Sequence, residues 1–282
     1  MNKQKSKPKS LSQAALQAAE KEGFVVMVFC DSKYKRLLEN WLLYAENNGE
    51  EFPILICALD RQLADEMAGR GYRVCHIPWS GPVSELWRIR VRAIKTVLEM
   101  GIDVVHSDVD AVWCRSPLPF LRENRTADII ASQGTIWPPS VLSKWGHVLC
   151  FGFVCFRSTK PVAWLVNRLA TASTNAAKHF DDQQILNRTL SDLGVEWELG
   201  GGGYELAKDG KKFQCYEQTI AGGGKLPDGS PIRVSLLPHR LFQRLPNNIE
   251  KGKPVLAHPV AMRNRGSDSE TELRRINCWG LK

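Results

Sequence analysis

Two aspartates separated by one valine give this chain its first sign of chemistry. In GIDVVHSDVDAVWC, Gly101 to Cys114, Asp108 and Asp110 follow an apolar run of strand length. Alternate residues of an extended segment share a face, so the two carboxylates project together, with Cα atoms about 6.5–7 Å apart. Two like charges so close call for a counter-ion. A hard divalent cation, Mg²⁺ or Mn²⁺, held by one or two carboxylates completes its shell with water and substrate phosphates. The plain alternative is a turn-capping aspartate beside a solvent-facing one. The position after a buried strand and before Val-Trp brings the metal reading level with that alternative, whereas Asp103, at the strand's opposite end, reads as structural.

Other residues could complete such a site. On the preceding helix Arg88, Arg92 and Lys95 follow i, i+4, i+7 and form one cationic stripe. If that stripe faces the crevice, its guanidinium forks suit a diphosphate. His258, in VLAHPV, ends an apolar run, and a neutral imidazole beside two carboxylates is a usual donor set for Mn²⁺. His106, two residues before Asp108, shares its face and competes for that role. Asp181 and Asp182 open DDQQILNRTL, where an aspartate can also cap a helix.

The elements that must position these groups alternate. GFVVMVFC reads as a strand, and Leu37, Leu38, Trp41, Leu42 and Ala45 recur at helical spacing after it. PILICAL, an Asp60-capped helix and YRVCHIP repeat the pattern, and a helix from Pro82 to Met100 leads into IDVVHS. This predicts a Rossmann-like α/β sheet with the Asp-Val-Asp at the carboxyl edge of a central strand, the edge where ligands bind in such sheets. ADIIASQ and LCFGFVCFRS read as further strands, and PVAWLVNRLATAS and DDQQILNRTL as helices. Beyond Gly200 the clustered glycines predict loops and hairpins, with a last strand ending near His258 and a basic, flexible segment after it.

The chain has 282 residues, 43% hydrophobic and 24% charged, which excludes a largely disordered protein and fits one large domain. No apolar run is long enough for a membrane span, and the N-terminus lacks the apolar centre of a secretory signal, so the expectation is cytoplasmic. Residues 1–22 read as a flexible tail with four lysines in the first ten positions, half of the formal +8 charge. The eight cysteines show no metal-binding spacing and suit a reducing compartment.

ELWRIRVRAIKTVLEMGIDVVHSDVDAVWCRSPLPFL resembles the core of the nucleotide-diphospho-sugar transferase family, of the glycosyltransferase family 77 and rhamnogalacturonan xylosyltransferase type. LLENWLLYAENNG, FGFVCFRST with DDQQILN, and LAHPVAMRNRGSDSETELRRINCWGL resemble three further family segments in the same order, so the resemblance spans roughly residues 23–279. It implies a GT-A fold over residues 23–282, with a nucleotide-binding half to about residue 132 and an acceptor half beyond it. It implies a nucleotide-sugar donor, UDP-linked by preference, a Mn²⁺ or Mg²⁺ ion bridging the diphosphate, a glycan, protein or small-molecule hydroxyl acceptor, and retention of anomeric configuration. By matching, Asp108, Val109 and Asp110 belong to the metal and nucleotide-sugar site, His258 is the third ligand, and Asp182 and Gln183 lie near the sugar and acceptor as catalytic residues. Arg88 or Arg92 would then assist the departing diphosphate. Cys150-Phe151 stands where the family often has Asn-Thr. The rival readings are a Mg²⁺-dependent phosphatase of haloacid-dehalogenase type using Asp108 and Asp110, and a non-catalytic basic binding protein. For the latter no aromatic-interleaved basic motif offers nucleic-acid contact.

Overall fold

The computed structural model describes residues 9–175, 181–200, 202–245, 254–259 and 269–282. Order begins earlier than a flexible tail to residue 22 would allow. Ser10 caps α1 (Leu11–Ala19), whose Ala14, Ala15, Ala18 and Ala19 are buried against the sheet. The lysines hid a small-residue helical face; Met1 to Pro8 lie outside the described residues.

The first half winds as its periodicity predicts. β1 (Phe24–Cys30), α2 (Lys35–Glu46), β2 (Ile54–Ala58), α3 (Arg61–Gly69), β3 (Val74–His76), α4 (Val83–Leu98) and β4 (Asp103–Ser107) build a parallel unit. Asp60 caps α3 by accepting from the Leu63 N–H, as its position suggests. β5 (Val112–Trp113), α5 (Leu118–Glu123), β6 (Ile129–Gln133), α6 (Pro139–Trp145) and β7 (Leu149–Phe156) follow, with β7 antiparallel between β4 and β6. Then come α7 (Lys160–Asn175), α8 (Asp182–Asp192), β8 (Glu196–Glu198) and the hairpin of β9 (Gly203–Lys208) and β10 (Lys211–Tyr216). β11 (Ile220–Lys225), β12 (Pro231–Leu236), β13 (Phe242–Arg244), β14 (Leu256–His258) and α9 (Ser269–Arg275) complete the chain.

The central sheet has nine strands in the order β3-β2-β1-β4-β7-β6-β12-β11-β8. Its strands alternate between two cores, Val25, Met27 and Phe29 facing α1, α4, α7 and α8, and Val26, Val28 and Cys30 facing α2, α3 and α5. The glycine-rich segment departs from the expectation of loops and hairpins alone. β11 and β12 do form a hairpin, but β12 runs parallel to β6 and extends the main sheet. A Cβ at Gly222 would lie 2.8 Å from the Trp197 ring, so that glycine is a strand position pressed by an aromatic and not a flexible hinge. Similarly, the C-terminal segment does not end in a tail: Ser269 to Arg275 is helical, and residues 260–268 lie outside the described residues. Among the described residues no helix is long and apolar enough to cross a membrane.

A separate three-stranded sheet, β13-β14-β5, matters most for position. β5 follows the Asp-Val-Asp turn directly, and β14 pairs with it antiparallel, Leu256 opposite Trp113 and Ala257 opposite Val112. That register carries His258 back to the aspartates. Trp41 of α2 supports the same turn: it is fully buried, its indole N–H lies 3.2 Å from Ser107 Oγ and 3.1 Å from the Ala111 carbonyl, and it meets Trp113 edge-on. Replacing it should both open a cavity and remove the indole donor from the Ala111 carbonyl. Trp41→Ala is expected to destabilise the fold by about 3–5 kcal/mol, read as a lowered midpoint in chemical denaturation.

Candidate active site

The Asp-Val-Asp turn is built by local bonds before any ligand is considered. The Asp108 N–H donates to the Gly152 carbonyl at 2.8 Å, and the Ala111 N–H closes the turn on the Asp108 carbonyl at 3.0 Å. Ser107 Oγ, beneath the turn, accepts from the indoles of Trp41 and Trp113. Both aspartates therefore leave the carboxyl edge of the central strand β4 with their backbones fixed.

Each carboxylate then splits its two oxygens between a tether and a shared space. Asp108 Oδ1 accepts from Arg90 at 2.7 Å and lies 3.2 Å from His106 Nε2. Its Oδ2 turns to His258 Nε2 at 3.8 Å. Asp110 Oδ2 accepts from Ser269 Oγ at 2.9 Å, while its Oδ1 lies 3.3 Å from the same His258 nitrogen. One ligand atom from each of Asp108, Asp110 and His258 falls within 4.8 Å of the others. Two carboxylate oxygens and an imidazole nitrogen converging on one point are a donor set that fits Mn²⁺ or Mg²⁺. The space itself depends on Gly152. A Cβ there would sit 2.5 Å from Asp108 Oδ2 and press into the His258 ring.

Charge in the site is arranged around Arg90, a residue the cationic stripe does not include. Arg90 is buried on α4; its Nε donates to Asp182 Oδ2 at 2.7 Å, its second terminal nitrogen bonds the same oxygen, and its face lies 4.9 Å over the Phe151 ring. Burial alone would raise the Asp108 carboxyl, but the Arg90 guanidinium outweighs it and holds it well below the usual carboxylate range. For Asp182 burial wins over Arg90, and its carboxyl rises to about 6. His106 is neutral: burial and then Arg90 lower its pKa, its Nδ1 donates to the Met27 carbonyl at 3.2 Å, and Nε2 accepts from Arg90 at 3.1 Å. It holds the Arg90 guanidinium beside Asp108 and does not join the converging atoms. Burial and Arg244 act to lower His258, yet Asp110 and Cys150 lift it to about 9.

The stripe of Arg88, Arg92 and Lys95 faces elsewhere. Arg88 bonds Glu85 at 3.0 Å, Lys95 bonds Glu99, and Arg92 is exposed. Two residues on a helix are about 200° apart, so the stripe that includes Arg88 and Arg92 turns away when Arg90 faces the aspartates. Arg90 could have been found from the sequence, because it falls three and four residues before Ala93 and Ile94, inside the apolar stripe where a charge needs a partner. Val109 is buried between the aspartates and lines the cleft beside them. Asp181 caps α8 by accepting from the Gln184 N–H. Gln183 is spent on backbone, its Oε1 accepting from the Phe151 N–H at 3.3 Å and its Nε2 donating to the Trp137 carbonyl at 2.8 Å.

A cleft of about 260 Å³ opens beside Asp108 and Asp110 at the carboxyl ends of β1 and β2, walled by Phe29, Asp31, Tyr34, Leu59 and Trp79. A model of the nucleotide-diphospho-sugar transferases matches residues 53–273. The chain belongs to that family. Family membership leaves the phosphatase and basic-binding readings without support. The chain is 24% identical over 196 residues to the beta-arabinofuranosyltransferase RAY1 of Arabidopsis thaliana, covering 64% of this chain and 36% of that protein. It is 23% identical over 141 residues to the arabinosyltransferase XEG113 of the same plant, covering 45% of this chain and 22% of that one. The chain thus spans well under half the length of these curated relatives. Among solved structures it is similar in part to the galactosyltransferase LgtC, in complex with donor and acceptor sugar analogues, with 15% identity, a TM-score of 0.43, and 58% of this chain and 69% of that chain covered. The glycosyltransferase GlyE of Streptococcus pneumoniae TIGR4 is similar at 15% identity and a TM-score of 0.40, over 60% of this chain and 43% of that one.

Because a side chain at residue 152 would enter the space between Asp108 and His258, Gly152→Ala is expected to weaken Mn²⁺ binding by about tenfold or more. Electron paramagnetic resonance titration of Mn²⁺ measures this, and an unchanged far-UV circular dichroism spectrum separates it from unfolding.

Proposed function

We propose that this transferase moves a sugar from a UDP-sugar to a hydroxyl acceptor, with retention of configuration and with Mn²⁺ or Mg²⁺ bound by Asp108, Asp110 and His258. The observation that carries the reading is the convergence of those three side chains at the mouth of the cleft beside β1 and β2. The cleft's apolar and aromatic walls suit a nucleoside, and the diphosphate would reach the three ligands from it. When bound, the divalent ion supplies positive charge to the departing diphosphate. The two curated relatives are named as arabinosyltransferases, so a pentose donor is the first to test.

The protein's own groups favour one route to retention. Both Asp182 oxygens are engaged, Oδ2 by Arg90 and Oδ1 by the Gln183 N–H at 2.8 Å. A carboxylate so held is a poor nucleophile and a good electrostatic partner. We therefore assign Asp182 and Arg90 to stabilising positive charge at the anomeric carbon and negative charge on the sugar-phosphate oxygens. The anomeric carbon–phosphate oxygen bond breaks as the acceptor oxygen bonds to the same face. The acceptor's proton passes to the departing phosphate. Gln183 acts as a positioning residue, holding β7 and the Trp137 loop against α8.

Release of nucleotide from a panel of UDP- and GDP-sugars, UDP-arabinose among them, tests the reading. Turnover should require Mn²⁺ or Mg²⁺, stop with EDTA, and fall by about 100-fold or more in Asp110→Asn. Metal-independent turnover, or a failure to bind any nucleoside diphosphate, would overturn it.

Metal binding should also depend on pH in a definite direction. Below about pH 9 His258 is an imidazolium with a proton on each ring nitrogen, including the Nε2 that faces the aspartates. A metal must displace that proton, so its affinity is expected to rise by about tenfold per pH unit up to about pH 9 and then level off. Calorimetric Mg²⁺ titrations in buffers of different ionisation enthalpy would count the released proton; a flat profile from pH 6 to 9 would count against His258 as a ligand.

A further inference from the structure

Beside His258 stand two cations that the donor site does not use. Arg244 is the register partner of His258 across β13 and β14, and its terminal nitrogen donates to the His258 carbonyl at 3.3 Å and the Pro259 carbonyl at 2.9 Å. Lys208 ends β9, whose Tyr204, Leu206 and Lys208 alternate onto its half-covered face. Leu206 and Leu245, the residue after Arg244, both pack against the small apolar cluster of Val141, Leu142 and Phe213, and Tyr204 Oη lies 2.7 Å from Nδ1 of His239, whose Nε2 meets the Arg244 carbonyl at 3.0 Å. β9 is thereby held against the segment that carries Arg244, with Lys208 on the same face of β9 as Tyr204 and Leu206. Leu245 has a φ of 60°, a left-handed backbone that branched residues rarely adopt, and this turn is part of what presents Arg244 to His258 while the leucine stays packed.

The two charges feel each other. Burial, and after it the Arg244 guanidinium, holds the Lys208 ammonium below its ordinary range, although the Asp209 carboxylate next in the chain pulls the other way. Both side chains are half-buried, and among the described residues no carboxylate lies within ion-pair distance of either. Two like charges brought together partly out of water need an anion to offset them. The rim nearby is suited to a sugar. Ile136 belongs to the same apolar cluster, and the next residue, Trp137, presents an indole that is 45% exposed while Gln183 holds its carbonyl. An exposed indole anchored through its backbone is a flat face for a pyranose ring. Within the site, His258 Nε2 faces the aspartates, whereas its Nδ1 faces Cys150 Sγ at 3.8 Å, so the imidazole separates the metal ligands from the Cys150 side.

We propose that Lys208 and Arg244, with Trp137 at the rim, form the acceptor subsite and take a sugar that carries a negative charge, either a carboxylate or a phosphate ester. The inference rests on the glycosyl-transfer reading above and deepens it by naming the acceptor's chemical class. The cations fix the anionic group, the indole supports the ring, and the acceptor hydroxyl is thereby directed toward the donor's anomeric carbon.

The test uses the full chain saturated with UDP and Mn²⁺, titrated by calorimetry with sulfate, glucuronate, glucose 6-phosphate and glucose. The three anions should bind at one further site, and glucose should bind about tenfold more weakly or not at all. Lys208→Met should weaken the anions by about fivefold or more, Lys208→Arg should restore them, and UDP affinity should stay within about twofold in both variants. Glucuronate against glucose 6-phosphate tells the carboxylate from the phosphate. Anion binding untouched by Lys208→Met overturns the proposal, as does a loss of about tenfold in UDP affinity in that variant, which would assign the cations to the donor diphosphate. Failure of the unaltered chain to bind UDP would instead bring down the transferase reading itself, and this proposal with it.

Discussion

The site depends on one buried guanidinium. Arg90 reaches from α4 to Asp108 on the β4 turn and to Asp182 at the start of α8, three elements far apart in sequence. Without it, two carboxylates would face each other out of water, and breaking such a pair by removing one partner typically costs about 3–5 kcal/mol. Its presence also decides which Asp108 oxygen is available. Arg90 occupies Oδ1, so Oδ2 is left to face His258. The same guanidinium gives the two aspartates different characters. Asp108 stays ionised under any ordinary condition, while Asp182, more deeply buried, has its carboxyl lifted to about 6. A carboxylate fixed in charge suits a metal; one near neutrality in its titration suits a centre where charge develops and disappears.

The second constraint is topological. Nothing local relates His258 to the aspartates, which precede it by some 150 positions in the sequence. Pairing of β14 with β5 closes that distance, because β5 begins two residues after Asp110 and the antiparallel register places His258 at the turn. β7 closes the space from the other side. All eight of its residues are buried, and at Gly152 it comes so near the turn that its carbonyl accepts from the Asp108 N–H. The ligand atoms are therefore held by backbone on two sides before a metal arrives, which lowers the ordering cost of binding.

Much of this was legible in the sequence, for reasons that also explain what was not. Periodicities of two and near four are local, so the β1 to β4 winding, the Asp60 and Asp181 caps and the exit of Asp108 and Asp110 from a buried strand could be read directly. His258 can be singled out as a histidine ending an apolar run, with His106 as its main rival; only the ring contacts, Nδ1 to the Met27 carbonyl and Nε2 to Arg90, show His106 turned away from the converging ligands. Arg90 does not stand out in the sequence because the row of charges at i, i+4, i+7 marks the exposed face, whereas the informative charge is the one inside the apolar stripe. α1 was hidden by composition, its buried alanines being small enough to read as tail beside lysines. The glycines at 222 and 224 misled in the opposite way, since a glycine needed to make room for Trp197 or Val195 looks, in sequence, like a glycine needed to bend.

The C-terminal segment shows how far the site extends into the fold. Ser269, the first residue of α9, donates to Asp110, and the helix is fastened in turn to α2 by Arg36, which bonds both Glu270 oxygens at 3.1 Å. Beyond the helix, buried Asn40 of α2 donates to the Cys278 carbonyl at 3.0 Å and accepts from the Gly280 N–H at 2.7 Å. α2 also carries Trp41, which supports the Asp-Val-Asp turn from beneath. One helix thus grips both the turn that bears the aspartates and the segment that tethers one of them. Among the described residues no guanidinium bonds Asp110; its orientation is set by a serine hydroxyl whose position depends on that grip. The two aspartates are consequently held by different means, Asp108 by buried charge and Asp110 by the docking of the chain's last segment, and a disturbance of α9 would reach the site through Asp110 while leaving the Arg90 network intact.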